Sequence, residues 1–157
     1  ETVSDHAAAV LGSVTPSGRL ILVHNTFADR ETIRKVKKRG NLYWCLCPNA
    51  NLYIEDHLPP LELLTGEDCT IVTGTDSYAS NRRLSILEEL RTLQQYFPSV
   101  TLGQLILWST KKGAEALGEE EQFGTIQPGK KPGLLLLQDA DLHKMKLLPE
   151  SFITRLL

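Results

Sequence analysis

The chain has 157 residues, 41% hydrophobic and 23% charged, which suits one soluble globular domain with a real core. Its formal net charge of -2, without an arginine–lysine stripe, argues against a nucleic-acid surface. No apolar run, Leu134 to Leu137 included, approaches the length of a membrane span. Three cysteines, an odd number, do not make a disulfide framework, and this fits a reducing, cytoplasmic compartment.

The apolar stretch His6 to Leu11 reads as a helix capped by Ser4 or Asp5. Pro16-Ser17-Gly18 is a turn, and Leu20 to Val23 is a continuous apolar run, the pattern of a strand buried on both faces. A helix begins near Asp29, turns Ile33 and Val36 inward and stops at Gly40. Its basic end, Arg34 to Arg39, complements the helix dipole. Leu42 to Cys47 is the next strand, ended by Pro48. Pro59-Pro60 opens a short helix through Leu61, Leu63 and Leu64 that Gly66 closes, and Cys69 to Thr73 is a third strand.

Leu84, Leu87, Leu90, Leu93 and Phe97 recur at near-helical spacing, and Pro98 ends that helix. Thr101 and Gln104 form a capping box for another, with Leu102, Leu105, Ile106 and Ser109 as its inner stripe and Gly118 as its stop. Glu119 to Glu121 reads as a solvated loop, Gly124 to Gly129 as a short strand and turn, and Leu134 to Leu137 as a last strand before a tail of weak periodicity. Strands alternating with helices imply an α/β fold with a parallel sheet. The strands near Leu20–Val23, Leu42–Leu46 and Thr70–Thr73 are expected to be adjacent.

Two strands end in residues that can do chemistry. His24 follows Leu20 to Val23, and Asp76 follows the run Thr70-Ile71-Val72-Thr73-Gly74-Thr75. The C-terminal ends of parallel strands are where α/β proteins place their sites, and a histidine and a carboxylate are natural parts of a hydrolytic one. Taken alone, Asp76 reads first as a cap or turn residue, while His24 is equally a hydrogen-bonded core residue. Asn51, Ser77, Ser80 and Asn81 read as loop-shaping ahead of substrate-binding, because short polar side chains hold turns through the backbone. Cys45 and Cys47, two apart on a strand, face the same way; a Cys-x-Cys metal site would lack a second cluster, so they read as packing, and Trp44 and Trp108 read as packing ahead of substrate stacking.

Four stretches together resemble the metal-dependent amidohydrolases, in their cytosolic deaminase and chlorohydrolase branch. Leu22-Val23-His24-Asn25-Thr26 is similar to the end of that family's sixth barrel strand, and Cys47-Pro48-Asn49-Ala50-Asn51-Leu52 to its Cys-Pro-x-Ser-Asn motif after strand seven. Gly74-Thr75-Asp76-Ser77-Tyr78-Ala79-Ser80-Asn81 is similar to the strand-eight motif. Thr110 to Gly118 with Phe123 to Lys131 is similar to the helix and glycine turn leading into the family's small β domain. Ala50 departs from the branch's usual serine, and Pro132-Gly133 from its usual Ala-Asp.

The resemblance implies the last part of a (β/α)8 TIM barrel, strands six to eight, in residues 1–122, and part of a small β domain with a tail in residues 123–157. A whole barrel takes about 250 residues, and the family's strand-one His-x-His pair and strand-five histidine have no counterpart here; His6, His57 and His143 fall in the wrong places. With an opening Glu1 rather than Met, this makes the chain read as a piece of a longer parent. That parent is expected to hydrolyse the C–N bond of a small amino-heterocycle with zinc or iron. Asp76 is its implied metal ligand and proton acceptor, and His24 its hydrogen-bond donor or ligand to a second metal. The isolated chain is expected to be inactive and without cofactor, and to self-associate or bury its open sides against the missing barrel part. A non-catalytic α/β binding or interaction domain is the alternative.

Overall fold

A computed structural model of the chain describes residues 18–157. The helix read at His6 to Leu11 lies outside the described residues. Five strands and six helices follow in this order: β1 (Leu20–Val23), α1 (Arg30–Lys37), β2 (Leu42–Leu46), α2 (Pro48–Glu55), α3 (Leu61–Gly66), β3 (Ile71–Thr73), α4 (Ile86–Tyr96), α5 (Leu102–Ser109), α6 (Lys111–Leu117), β4 (Leu135–Asp141) and β5 (Lys146–Arg155).

The first three strands form a parallel sheet in the order β1-β2-β3, with Leu22 beside Trp44 and Trp44 beside Ile71. Leu42, Trp44 and Leu46 alternate inward along β2 and are buried, while Tyr43 and Cys45 are half-buried on the opposite face. The buried row meets Ile33 and Val36 from α1, Leu61 and Leu64 from α3, Leu90 and Leu93 from α4, and Leu102, Leu105 and Trp108 from α5 in one cluster. Helix α1 starts because the Asp29 side chain accepts from the Thr32 N–H at 2.8 Å. Arg34, in the basic last turn, does more than complement the dipole: with Arg30 from the first turn it clasps Glu67, at 2.8 and 2.5 Å, tying α1 to the end of α3.

Several expectations need correction. Strand β1 is not fully buried among the described residues: Leu20, Ile21 and Leu22 are half-buried and Val23 is 46% exposed. Pro48 does more than end β2. It occupies the first turn of α2, where its missing N–H costs nothing, and Cys47 sits at the cap rather than in the strand. Leu84 lies before α4 and is exposed. The helix after Thr101 breaks at Thr110 into α5 and α6, its capping box is intact, and Trp108 takes the inner place expected of Ile106, which is exposed. Glu120 is no free loop residue, since it pairs with Arg19.

Residues 124–129 contain no strand. The tail instead holds the longest one: β4 and β5 form an antiparallel hairpin. Its register shifts at Asp139, whose carbonyl accepts from the Ser151 hydroxyl at 2.6 Å. Gln94 of α4 bonds both backbone groups of Leu147, at 2.8 and 2.9 Å, and fixes the hairpin to the core. No helix among the described residues is long and apolar enough to cross a membrane.

Candidate active site

The ends of β1 and β3 turn sharply. His24 and Asn25 follow β1 with φ of 68° and 53°, and Asp76 follows β3 with φ of 56°. These are left-handed backbones, uncommon for residues with a Cβ and most tolerable for His, Asn and Asp. The consequence is convergence: His24 Nε2 lies 3.8 Å from Asp76 Oδ2. Both side chains are partly open to solvent, at 33% and 31% exposure.

Asp76 Oδ2 also accepts from the Ser80 hydroxyl. The Ser77 hydroxyl is 3.3 Å from that of Ser80 and accepts from the Ala79 N–H, so the loop closes on itself beneath the carboxylate. Asn81 is buried and donates to the Thr75 carbonyl at 2.8 Å, one residue before Asp76. Asn51 is buried on the other side. Its amide donates to Thr26 Oγ1 at 2.5 Å and to Glu55 Oε2 at 3.2 Å, linking the loop after β1 to α2. Glu55 is held below the usual carboxylate range by the Thr26 hydroxyl first, then by Asn51 and the neighbouring His24 and His57.

The structure therefore gathers His24, Asp76, Ser77 and Ser80 at one point and sets Asn51 and Asn81 behind it. His57 lies outside this group, tilted against Phe27 with ring centroids 5.6 Å apart, and His143 lies in the turn between β4 and β5. Beneath the group, an added Cβ on Gly74 would stand 2.9 Å from Cys45 Sγ and 3.3 Å from Cys47 Sγ. The two thiols hydrogen-bond to each other, which lowers Cys45 and raises Cys47.

One residue of the neighbourhood escapes sequence reasoning altogether. Glu89 of α4 is fully buried, accepting from Asn49 N and Nδ2 at 3.0 Å each and from Asn81 Nδ2 at 2.5 Å. Burial pushes its carboxyl up, and these hydrogen bonds only partly offset that. In the sequence it is a charged residue between leucines. The signal that could have found it is its place in α4, next to the buried Leu90 and four residues before Leu93, rather than any motif.

Residues 6–153 match the profile of the Amidohydrolase family. The chain belongs to that family. This amidohydrolase chain is 30% identical over 142 residues to a 5'-deoxyadenosine deaminase of Methanobrevibacter smithii, covering 86% of this chain and 32% of the relative. It is 31% identical over 136 residues to a 5-methylthioadenosine/S-adenosylhomocysteine deaminase of Caldanaerobacter subterraneus, covering 82% and 30%. Among solved structures, a zinc-bound adenosine deaminase of Xanthomonas campestris superposes with a TM-score of 0.69 at 29% identity, over 81% of this chain and 30% of that one. The chain thus spans about a third of the length of the curated relatives it matches.

Zinc accepts carboxylate and imidazole donors, and Asp76 with His24 offers one of each at a single point. A catalytic zinc usually takes three protein ligands. Among the described residues no group of three metal-binding side chains occurs. The donor set fits part of a metal site and does not complete one.

Proposed function

We propose that residues 1–122 supply the last three strand–helix units of an amidohydrolase barrel and residues 123–157 part of its small β domain, in a protein that removes ammonia from an amino-heterocycle. One observation carries this reading: His24 and Asp76, from the ends of different parallel strands, meet at 3.8 Å in a chain whose relatives are deaminases. Asp76 would hold zinc or iron with ligands from beyond this chain, and the ion supplies a charge that lowers the pKa of water to about 7. With only two of these donors, the isolated chain is expected to hold no stoichiometric metal.

In this reading the Asp76 carboxylate takes a proton from the attacking water as a C–O bond forms. It then passes the proton to the ring-bound amino nitrogen, and the C–N bond breaks to release ammonia. His24 donates a hydrogen bond to the attacked centre or its water. Ser80 holds Asp76 in rotamer, while Ser77, Asn81 and Asn51 hold the loops that carry the pair.

Asp76→Asn in the full-length protein tests this. The amide accepts no proton, so ammonia release from adenosine-type nucleosides should fall by about 10²–10⁴-fold. Thermal stability should move little, because the side chain is partly exposed. Near-normal turnover by the variant would remove Asp76 from the mechanism.

A further inference from the structure

A second concavity opens beside the proposed reaction site. It is a groove of about 670 Å³ between α2 and the segment 80–83, lined among others by Leu52, Tyr53, Ser80, Arg82 and Arg83. That size accommodates a nucleoside-sized ligand. Its wall is rigid. Asn49 and Asn81 line it with their amides tied to the buried Glu89, and Asn81 Oδ1 accepts from the Arg83 N–H at 3.2 Å, pinning the backbone that carries both arginines. Neither guanidinium has a hydrogen bond or ion pair among the described residues. The acid on the rim, Glu88, is already occupied by Arg91 at 2.5 Å. Among the described residues, then, nothing neutralises either cation in the groove. Leu52 and the exposed Tyr53, from α2, add apolar surface to the same groove. Ser80 belongs to both places, since it lines the groove and its hydroxyl donates to Asp76.

We propose that this groove is an oxyanion subsite, in which Arg82 and Arg83 take the phosphate or carboxylate of a ligand whose flat body lies along Leu52 and Tyr53 and whose reacting end reaches Asp76 past Ser80. The planar fork of arginine matches either oxyanion in paired, charge-assisted hydrogen bonds. The inference rests on Asp76 being at the reaction centre, and it narrows the substrate class to amino-heterocycles with an anionic tail. Binding should weaken as salt rises, because both arginines are exposed.

The test is calorimetric binding to the full-length protein carrying Asp76→Asn, in which the proposed turnover is slowed enough for binding to be read. The probes are adenosine, adenosine 5'-monophosphate and adenosine 5'-carboxylate. The anionic probes should bind tighter than adenosine by about tenfold or more, and Arg82→Gln/Arg83→Gln should bring all three within about twofold. Circular dichroism checks that the surface double variant keeps its fold. Preference for one anion assigns the subsite to phosphate or to carboxylate. Equal affinity for adenosine and both anions, or a preference that survives the double variant, overturns the proposal. So does simultaneous binding of adenosine and the monophosphate, since the subsite would then be separate from the reaction centre. This binding pattern in a protein whose wild-type form releases no ammonia would refute the deaminase reading alone.

Discussion

Glu89 is the residue whose removal should cost most for its size. It is fully buried and accepts three N–H bonds, two from Asn49 and one from Asn81. Glu89→Ala deletes the acceptor of all three and leaves a cavity. A buried donor stripped of its partner costs about 1–3 kcal/mol. Asn81 keeps a bond to the Thr75 carbonyl, so the loss falls chiefly on Asn49. Together with the cavity, a destabilisation of about 3–4 kcal/mol follows. Glu89→Gln keeps the volume and the oxygen that serves both side-chain amides, and it sheds the cost of burying a charge. It sets one amide N–H against the Asn49 backbone N–H, so about 1–2 kcal/mol is expected.

Urea denaturation near neutral pH would rank the three proteins by midpoint at constant slope. The sign of the pH dependence gives a second check. Burial raises the folded carboxyl above its ordinary value, so the folded state holds its proton more tightly. The stability this group contributes is complete below the unfolded pKa, about 4.3, and is lost as pH rises through the folded value. The margin of wild type over Glu89→Gln should shrink over that rise. An alanine variant milder than the glutamine variant, or a margin that grows with pH, would refute the reasoning.

Three further outcomes follow from other contacts. Gly74→Ala puts a methyl 2.9 Å from Cys45 Sγ and should cost about 1–3 kcal/mol in denaturant melts; adding Cys45→Ala should recover most of it, and no recovery would mean the sulfur is not the obstacle. Glu67 is held below the usual carboxylate range by Arg34, then Arg30, so its contribution is present above the unfolded pKa and lost as pH falls through the folded one; Glu67→Gln should flatten the acid limb of a stability–pH curve, and an unchanged limb would count against the clasp. The isolated 157-residue chain should self-associate, because among the described residues β1 and β3 each have an unpaired edge and Val23 and Phe27 lie exposed at and just after the end of β1; a monomer in sedimentation velocity that binds no hydrophobic dye would contradict this.

What the sequence revealed and what it hid divide along physical lines. The three parallel strands were legible because runs such as Leu20 to Val23 and Cys69 to Thr73 lie between unambiguous turn residues, and the crossovers between them are long enough for a helix. Helix α1 was legible through its Asp29 cap and its Ile33–Val36 spacing. Helix α2 was not, since the proline that announces its start equally announces the end of β2, and its composition has no apolar stripe to break the tie. The start of β4 was legible as Leu134 to Leu137, but its full length and its pairing with β5 were not, for a related reason. Its Asp139 bulge shifts the alternation mid-strand, and Pro149 lies inside β5, where local reading forbids a strand.

The site shows the same division. His24 and Asp76 were visible as strand-end residues, but their convergence depends on left-handed turns at both, which no local propensity requires of them. Glu89 was invisible because a buried carboxylate is recognisable only through its partners, and Asn49 and Asn81 lie 40 and 8 residues away in the chain. That carboxylate steadies Asn81, Asn81 steadies the Thr75 carbonyl, and the next residue is Asp76. The strained turn that presents Asp76 is thus held from the helix behind it, so the part of the site that sequence patterns miss is the part that keeps its visible residues in place.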